Sequence, residues 1–281
     1  MEPRVRALTP QIGYGLALAT AFLALFWPTF VWMAQRFGTA DSLYSHGWLI
    51  PFASGWLVWQ RRDTLAQDTA PSAWGLGLLV PAVLIHVLAS WWRLGFVSGF
   101  TMVASVWGLV WTLWGASTMR TLRLPLLFLL FMVPLPGILL ITTTFQMKLL
   151  AASLATPIVN LLGIPARQAG SMIHVPGISV IVDDACSGLR SLISLIALST
   201  FWTAFLPAHA GWRQKALVVA ASIPIALAAN IVRIVVLVCL AAIYGPGAAQ
   251  GFLHYGSGLV VFGVALLLLM WLTKRLVRTA A

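Results

Sequence analysis

The sequence predicts an all-α polytopic membrane protein with about eight transmembrane helices and a short β-hairpin-like outer loop before the sixth. Three observations carry this prediction. Of the 281 residues, 60% are hydrophobic and 8% charged, and the mean hydropathy is +0.95, which fits no soluble class. The apolar residues fall into long runs of about the ~20 residues needed to cross a bilayer, separated by short polar or Pro-containing breaks. One stretch alone, residues 164–182, has a different texture, with Pro165, Gly170, Pro176 and Gly177 punctuating short β-prone pieces. The net charge of +11 does not mark a nucleic-acid binder, because such proteins gather Lys and Arg on one face or arm, whereas here they sit in small groups between apolar runs.

The elements follow in order. Residues 12–33 form the first span, with Arg4 and Arg6 before it and Trp27 and Trp32 towards its far end, where amphipathic rings favour the interface. This run exceeds the core of a cleavable signal peptide. A polar bend follows, containing Gln35, Arg36, Gly38, Asp41, Ser42, Ser45 and His46, then a short second run that starts at Leu43 or Gly47, ends at Trp59 and contains Pro51. Spans three (73–92) and four (94–117) are separated by a tight Trp91-Trp92-Arg93 turn. A fifth covers 124–141 and contains Pro134 and Pro136, which remove backbone donors and must bend or end a helix. Residues 142–163, with Gln146, Lys148 and Asn160 among Leu and Ala, read as an amphipathic interfacial helix. A hairpin of 171–175 and 178–182 turns at Pro176-Gly177. Spans six to eight cover 185–206, 216–243 and 255–272. No internal repeat or low-complexity segment is evident, so residues 1–281 read as one integral-membrane domain whose outer loop, 142–185, carries the interfacial helix and the hairpin.

Charge counting sets the orientation. With eight spans and a cytoplasmic N-terminus, Arg4, Arg6, Arg61, Arg62, Arg120, Arg123, Arg213, Lys215, Lys274, Arg275 and Arg278 face inward, while Arg36, Arg93, Lys148 and Arg167 face outward. Eleven cations against four is the bias of the positive-inside rule. Both termini are therefore expected inside, and the loop before Cys186 outside.

Groups that cost free energy in hydrocarbon are functional candidates, at about 2.5 to 3.5 kcal/mol for a mid-span charge on insertion scales. Arg190 follows Cys186 by one helical turn, which on a continuous helix puts both on one face. Asn230 and Arg233 share a face of the seventh span, in its outer half, and His254 precedes the eighth. Topology thus brings Cys186, Arg190, Asn230, Arg233 and His254 to a similar depth. A thiol with nearby cations, a helix start and a histidine is an arrangement for nucleophilic catalysis. Arg233 can stabilise an oxyanion or thiolate but cannot act as a base, and His254 titrates near operating pH. Burial of Cys186 would raise the pKa that the cations lower, so its protonation state stays open.

Structural readings stand beside these. Arg190 and Arg233 have the alternative of pairing with Asp183, Asp184 or helix-end carbonyls, and His254 that of an interfacial residue without chemistry. Asp183 and Asp184 read mainly as caps of the sixth helix. Cys239, between Val238 and Leu240, reads as a small buried hydrophobe, and no disulfide with Cys186 is assumed. His86 and His209 read as structural. His46, near the outer surface, reads as a residue supporting the site, together with Ser187 and Asp184.

Three ordered motifs then carry a resemblance: Ala185-Cys186-Ser187-Gly188-Leu189-Arg190-Ser191, Asn230-Ile231-Val232-Arg233, and His254-Tyr255-Gly256. With Ser45-His46-Gly47-Trp48-Leu49-Ile50-Pro51, they make the chain resemble the exosortases, of the exosortase and archaeosortase family of membrane cysteine transpeptidases, in a core-only form. The resemblance implies an enzyme of the bacterial inner membrane with its site facing the periplasm. Its partners would be membrane-anchored proteins with a C-terminal signal made of a Pro-Glu-Pro-type motif, a transmembrane helix and a basic tail, together with an unknown acceptor amine. It implies Cys186 as nucleophile, Arg233 as stabiliser of the oxyanion or thiolate, and His254 as proton carrier, with no metal and no cofactor. Arg190 is the candidate cation for the signal's glutamate. Other readings are a transporter with an anion path, or a structural component of polysaccharide export.

Overall fold

A computed structural model describes residues 3–39, 42–65, 70–207, 210–245 and 252–278. Asp41 and His209 lie outside these, as do the side chains of Arg4, Arg6 and His254. The chain divides into two compact units, Met1–Pro134 and Leu135–Ala281, each taken by itself below.

In the first unit, α1 (Pro3–Phe37) is followed by a 3-10 turn at Ser45–Trp48 and by α2 (Ile50–Gln60), where Pro51 occupies the first turn and its missing N–H costs nothing. At eleven residues α2 is about 16 Å long, short of a ~30 Å hydrocarbon core. A single turn, α3 (Arg62–Leu65), precedes α4 (Leu76–Trp91), which ends in a tight turn at Arg93 (φ 55°), as the aromatic-basic break predicted. His86 is buried in α4, its Nδ1 2.8 Å from Ser98 Oγ and its Nε2 3.0 Å from the Leu25 carbonyl, the structural role expected of it.

The next helix corrects the sequence reading. A fourth span ending near residue 117 and a fifth starting at 124 are replaced by one path, α5 (Gly95–Phe128), continuing as a 3-10 turn to Met132. Two devices let it run on. At Gly115 (φ 81°) the helix kinks, and the Thr112 carbonyl accepts instead from the Ser72 N–H at 3.0 Å. Pro125 has no N–H for the Thr121 carbonyl one turn back, and Arg61 Nη1 donates to that oxygen at 3.2 Å. The Pro125 carbonyl accepts from buried Ser54 Oγ at 2.8 Å.

The second unit opens with another correction. Residues 137–141, expected to end the fifth span, begin α6 (Gly137–Leu161), which absorbs most of the expected interfacial helix. Pro134 and Pro136 end the preceding helix, and two of the polar residues that suggested an interface find partners in the folded unit. Asn160 exchanges two hydrogen bonds with the backbone of Ala166, and Lys148 pairs with Asp184. The expected hairpin is present, as β2 (Met172–Val175) against β3 (Ile178–Ile181), with Gly177 at φ 78° completing the Pro-Gly turn. A further strand, β1 (Arg167–Ala169), pairs with β2, making an antiparallel three-stranded sheet.

Three helices complete the unit: α7 (Leu189–Trp202), α8 (Trp212–Tyr244) and α9 (Phe252–Arg278). A stripe of small residues on α6, Ala151, Ala152 and Ala155 with Val159, is fully buried in one core with Ile234, Leu237 and Val238 of α8 and Ile173 of the sheet. Cys239 packs against the same cluster and Cys186 belongs to it; both are free thiols. A second core joins Leu195, Ile225, Ala226, Ala265 and Leu269 of α7, α8 and α9.

Among the described residues, six helical stretches are long and apolar enough to cross a membrane: Gly13–Phe37, Ala73–Trp91, Gly95–Met132, Gly137–Leu161, Trp212–Tyr244 and Gly256–Leu276. The stretch Leu189–Phe205 is apolar but shorter, so with α2 it makes up the difference between these six and the expected eight.

Candidate active site

The site is built on the turn between the sheet and α7. Val182 closes the hairpin by donating to the Ser171 carbonyl at 2.9 Å, and Asp183, in extended conformation, caps a 3-10 turn at Asp184–Cys186. The Asp183 carboxylate accepts the Cys186 N–H at 2.9 Å and so caps this short turn, whereas the sixth helix, which the two aspartates were expected to cap, begins later with Gly188 at its N-cap. Asp184 Oδ1 instead lies 2.7 Å from Lys148 Nζ. Ser187 Oγ donates to the Asp184 carbonyl at 2.8 Å and accepts from the Leu189 N–H at 3.3 Å, so this hydroxyl is engaged in shaping the turn.

Gly188 then takes φ 78°, a left-handed conformation, and α7 begins at Leu189 rather than at residue 185. Cys186 and Arg190 are therefore not one turn apart on a continuous helix, and the same-face inference drawn from their spacing does not hold. Arg190 is exposed in the first turn of α7, whereas Cys186 is 5% exposed.

From α8, buried Asn230 donates through Nδ2 to the Cys186 carbonyl at 2.9 Å. Arg233, one turn along the same helix, donates through Nε to Ser257 Oγ of α9 at 3.3 Å, and its guanidinium faces the bare Cα of Gly258. A cavity of about 30 Å³, room for about one water, lies among Ser191, Asn230, Arg233, Gly258 and Phe262.

The electrostatics of the thiol follow from this setting. Burial pushes the Cys186 thiol up to about 12; the Arg233 charge opposes the rise, while the Asp183 carboxylate, through its charge and a hydrogen bond to the thiol, adds to it. Desolvation outweighs the cation, which favours the neutral thiol over the thiolate.

A protein-family model described as transmembrane exosortase matches residues 32–271. The chain belongs to the exosortase family. No match is found among the curated proteins or among solved structures.

For this exosortase-family protein, the structure brings together Cys186, Ser187, Asn230 and Arg233 among the residues singled out from sequence. His254 lies in the first turn of α9, the helix that supplies Ser257 and Gly258, but its side chain is outside the described residues. His46 belongs to the first unit, where it stacks on Tyr44 at 6.0 Å, and burial lowers its pKa. Among the described residues, no three His, Cys, Asp or Glu side chains converge as a metal-binding set. Sequence reasoning missed the Lys148–Asp184 pair, the Ser257 partner of Arg233 and the part played by Gly188. The glycine carried the one available signal, an isolated Gly between a capping aspartate and an apolar run.

Proposed function

We propose that this exosortase-family protein is a cysteine peptidase and transpeptidase with Cys186 as nucleophile. The observation that supports the reading is the hydrogen bond from Asn230 of α8 to the Cys186 carbonyl, which joins the cysteine turn to the helix that carries Arg233, the cation whose charge lowers the thiol's pKa. The substrates, by the family's character, are membrane-anchored exported proteins with a Pro-Glu-Pro-type C-terminal signal. The protein sits in the bacterial inner membrane with both termini in the cytoplasm and the site facing the periplasm, the orientation favoured by the cation count.

The chemistry then runs in two halves. His254 takes the thiol proton as Sγ adds to the scissile carbonyl, and Arg233 offsets the charge developing on the carbonyl oxygen. The same imidazolium returns its proton to the leaving amine as the C–N bond breaks, leaving a thioester on Cys186. An acceptor amine attacks the thioester, a proton passes back to sulfur and the thiol is restored. The neutral resting thiol fits a base-assisted attack better than a preformed thiolate. Arg190, exposed near the start of α7, is proposed to bind the signal's glutamate.

Incubation of the membrane-embedded protein with a signal-bearing substrate tests the reading. A covalent acyl adduct on Cys186, absent in Cys186→Ala, is expected by mass spectrometry; undiminished processing by Cys186→Ala would sink it. Arg190→Gln should hurt a Glu-containing signal more than its Gln variant, and equal losses on both remove that role.

A further inference from the structure

Both main-chain polar groups of Cys186 are held by side chains. Its N–H is taken by Asp183, three residues earlier in the turn, and its carbonyl by Asn230 from α8. The second bond has a specific cause. In an uninterrupted helix the Cys186 carbonyl would accept from a backbone N–H one turn on, but Gly188 is left-handed, and the first bond of α7 runs from the Leu192 N–H to the Gly188 carbonyl at 2.9 Å. The Cys186 carbonyl is displaced from that ladder and buried, where an unmet acceptor is costly. The Asn230 carboxamide fills the place of the missing donor.

The fit is close on the other side as well. A Cβ built on Gly188 would stand 2.6 Å from Asn230 Cγ and 2.8 Å from its Nδ2, so the carboxamide lies directly against the glycine. Only a residue with no side chain both adopts φ 78° and leaves room for Asn230. Helix α8 therefore fixes the height and rotation of the turn that bears the thiol. One turn further on it presents Arg233, which acts on that thiol.

We propose that Asn230 is a positioning residue: by holding the Cys186 carbonyl, it keeps the thiol in register with Arg233 on the same helix. The proposal rests on Cys186 being the nucleophile. Loss of the Nδ2–H bond lets the turn shift by a fraction of an ångström to an ångström, enough to cost catalysis without removing any group that touches substrate.

The test uses the full-length protein in a Cys239→Ala background, so that Cys186 is the sole thiol. Asn230→Leu keeps the shape of the side chain and removes the donor. A kcat lower by about 10- to 100-fold, with KM within about twofold, is expected. The pH profile of Cys186 alkylation by iodoacetamide should also move upward, because the thiol leaves the field of Arg233. A merely structural role would lower the unfolding temperature and leave that profile in place. Asn230→His, which keeps an N–H at matching reach, should recover part of kcat, whereas Asn230→Ser, too short to reach, should not. Equal kcat in the His and Ser variants, or an unmoved alkylation profile in folded Asn230→Leu, overturns the proposal. The alkylation profile reads the thiol's surroundings whether or not Cys186 is the nucleophile, and Cys186→Ala processing reads the nucleophile alone, so the two ideas fail separately.

Discussion

Lys148 Nζ lies 2.7 Å from Asp184 Oδ1, and this contact ties α6 to the turn that carries Cys186. The Lys148 side chain is largely covered and that of Asp184 is open, so the pair is partly screened and contributes about 1 kcal/mol or less to stability. Its larger effect is on the placement of the turn. Lys148→Met should leave the unfolding temperature nearly unchanged and slow signal processing several-fold. The exchanged pair, Lys148→Asp with Asp184→Lys, should recover most of the rate; no recovery would mean that the contact does not support the turn.

The state of the thiol gives a signed pH dependence. With Cys186 pushed up to about 12, alkylation at neutral pH is slow, and its rate keeps rising above pH 9, where an ordinary cysteine levels off. At fixed pH, Arg233→Gln should slow alkylation, because the charge that lowers the pKa is gone, and Asp183→Asn should speed it. The unfolded chain ionises first, so the fold loses stability as pH climbs from about 9 towards 12. Thermal unfolding followed across that window, with Cys186→Ala flatter than the parent, checks the sign.

In the first unit, Arg61 serves the carbonyl that Pro125 leaves without a partner. Arg61→Met should cost about 1 to 3 kcal/mol, the range for an unmet acceptor. In a Pro125→Ala background, where the backbone regains its N–H, the same substitution should cost less. Chemical unfolding of the four proteins of this cycle measures the difference, and equal costs in both backgrounds would dissociate Arg61 from the proline.

The small-residue stripe on α6 sets the approach of α8. Ala155→Leu overpacks a fully buried position and should destabilise by about 1 to 3 kcal/mol. Leu at the exposed neighbour Ser153 should stay within about 0.5 kcal/mol. Unfolding in detergent with both variants side by side makes the comparison.

Much of this was legible in the sequence, and the exceptions have physical reasons. The hairpin announced itself through Pro176-Gly177, and the Trp91–Arg93 break through its polarity. Helix α5 was misread because Arg120 and Arg123 suggested a loop, whereas a kink at Gly115 and a carbonyl served by Arg61 allow the helix to continue, and both depend on residues remote in sequence. Lys148 and Asn160 suggested an interface because their partners, Asp184 and the Ala166 backbone, are visible only once the chain has folded back. In the candidate site, Asn230 and Arg233 were found from the cost of polar groups in a span. Their division of labour was hidden, because nothing in a motif says that an amide will bond a carbonyl rather than a substrate. The Cys186–Arg190 spacing misled for a reason that one residue explains: Gly188 breaks the helix on which the spacing was counted.

The two clamps on Cys186 also impose an order in time. Asp183 leaves the ribosome just before the cysteine, but Asn230 follows 44 residues later, and the Ser257 that holds Arg233 comes 24 residues after that arginine. A nascent chain halted before α8 carries a cysteine turn with its carbonyl unheld and without the Arg233 charge that acts on its thiol. The arrangement is therefore complete only once α8 and α9 have both joined the bundle, and under the proposed function a molecule halted before them carries a thiol that cannot yet react.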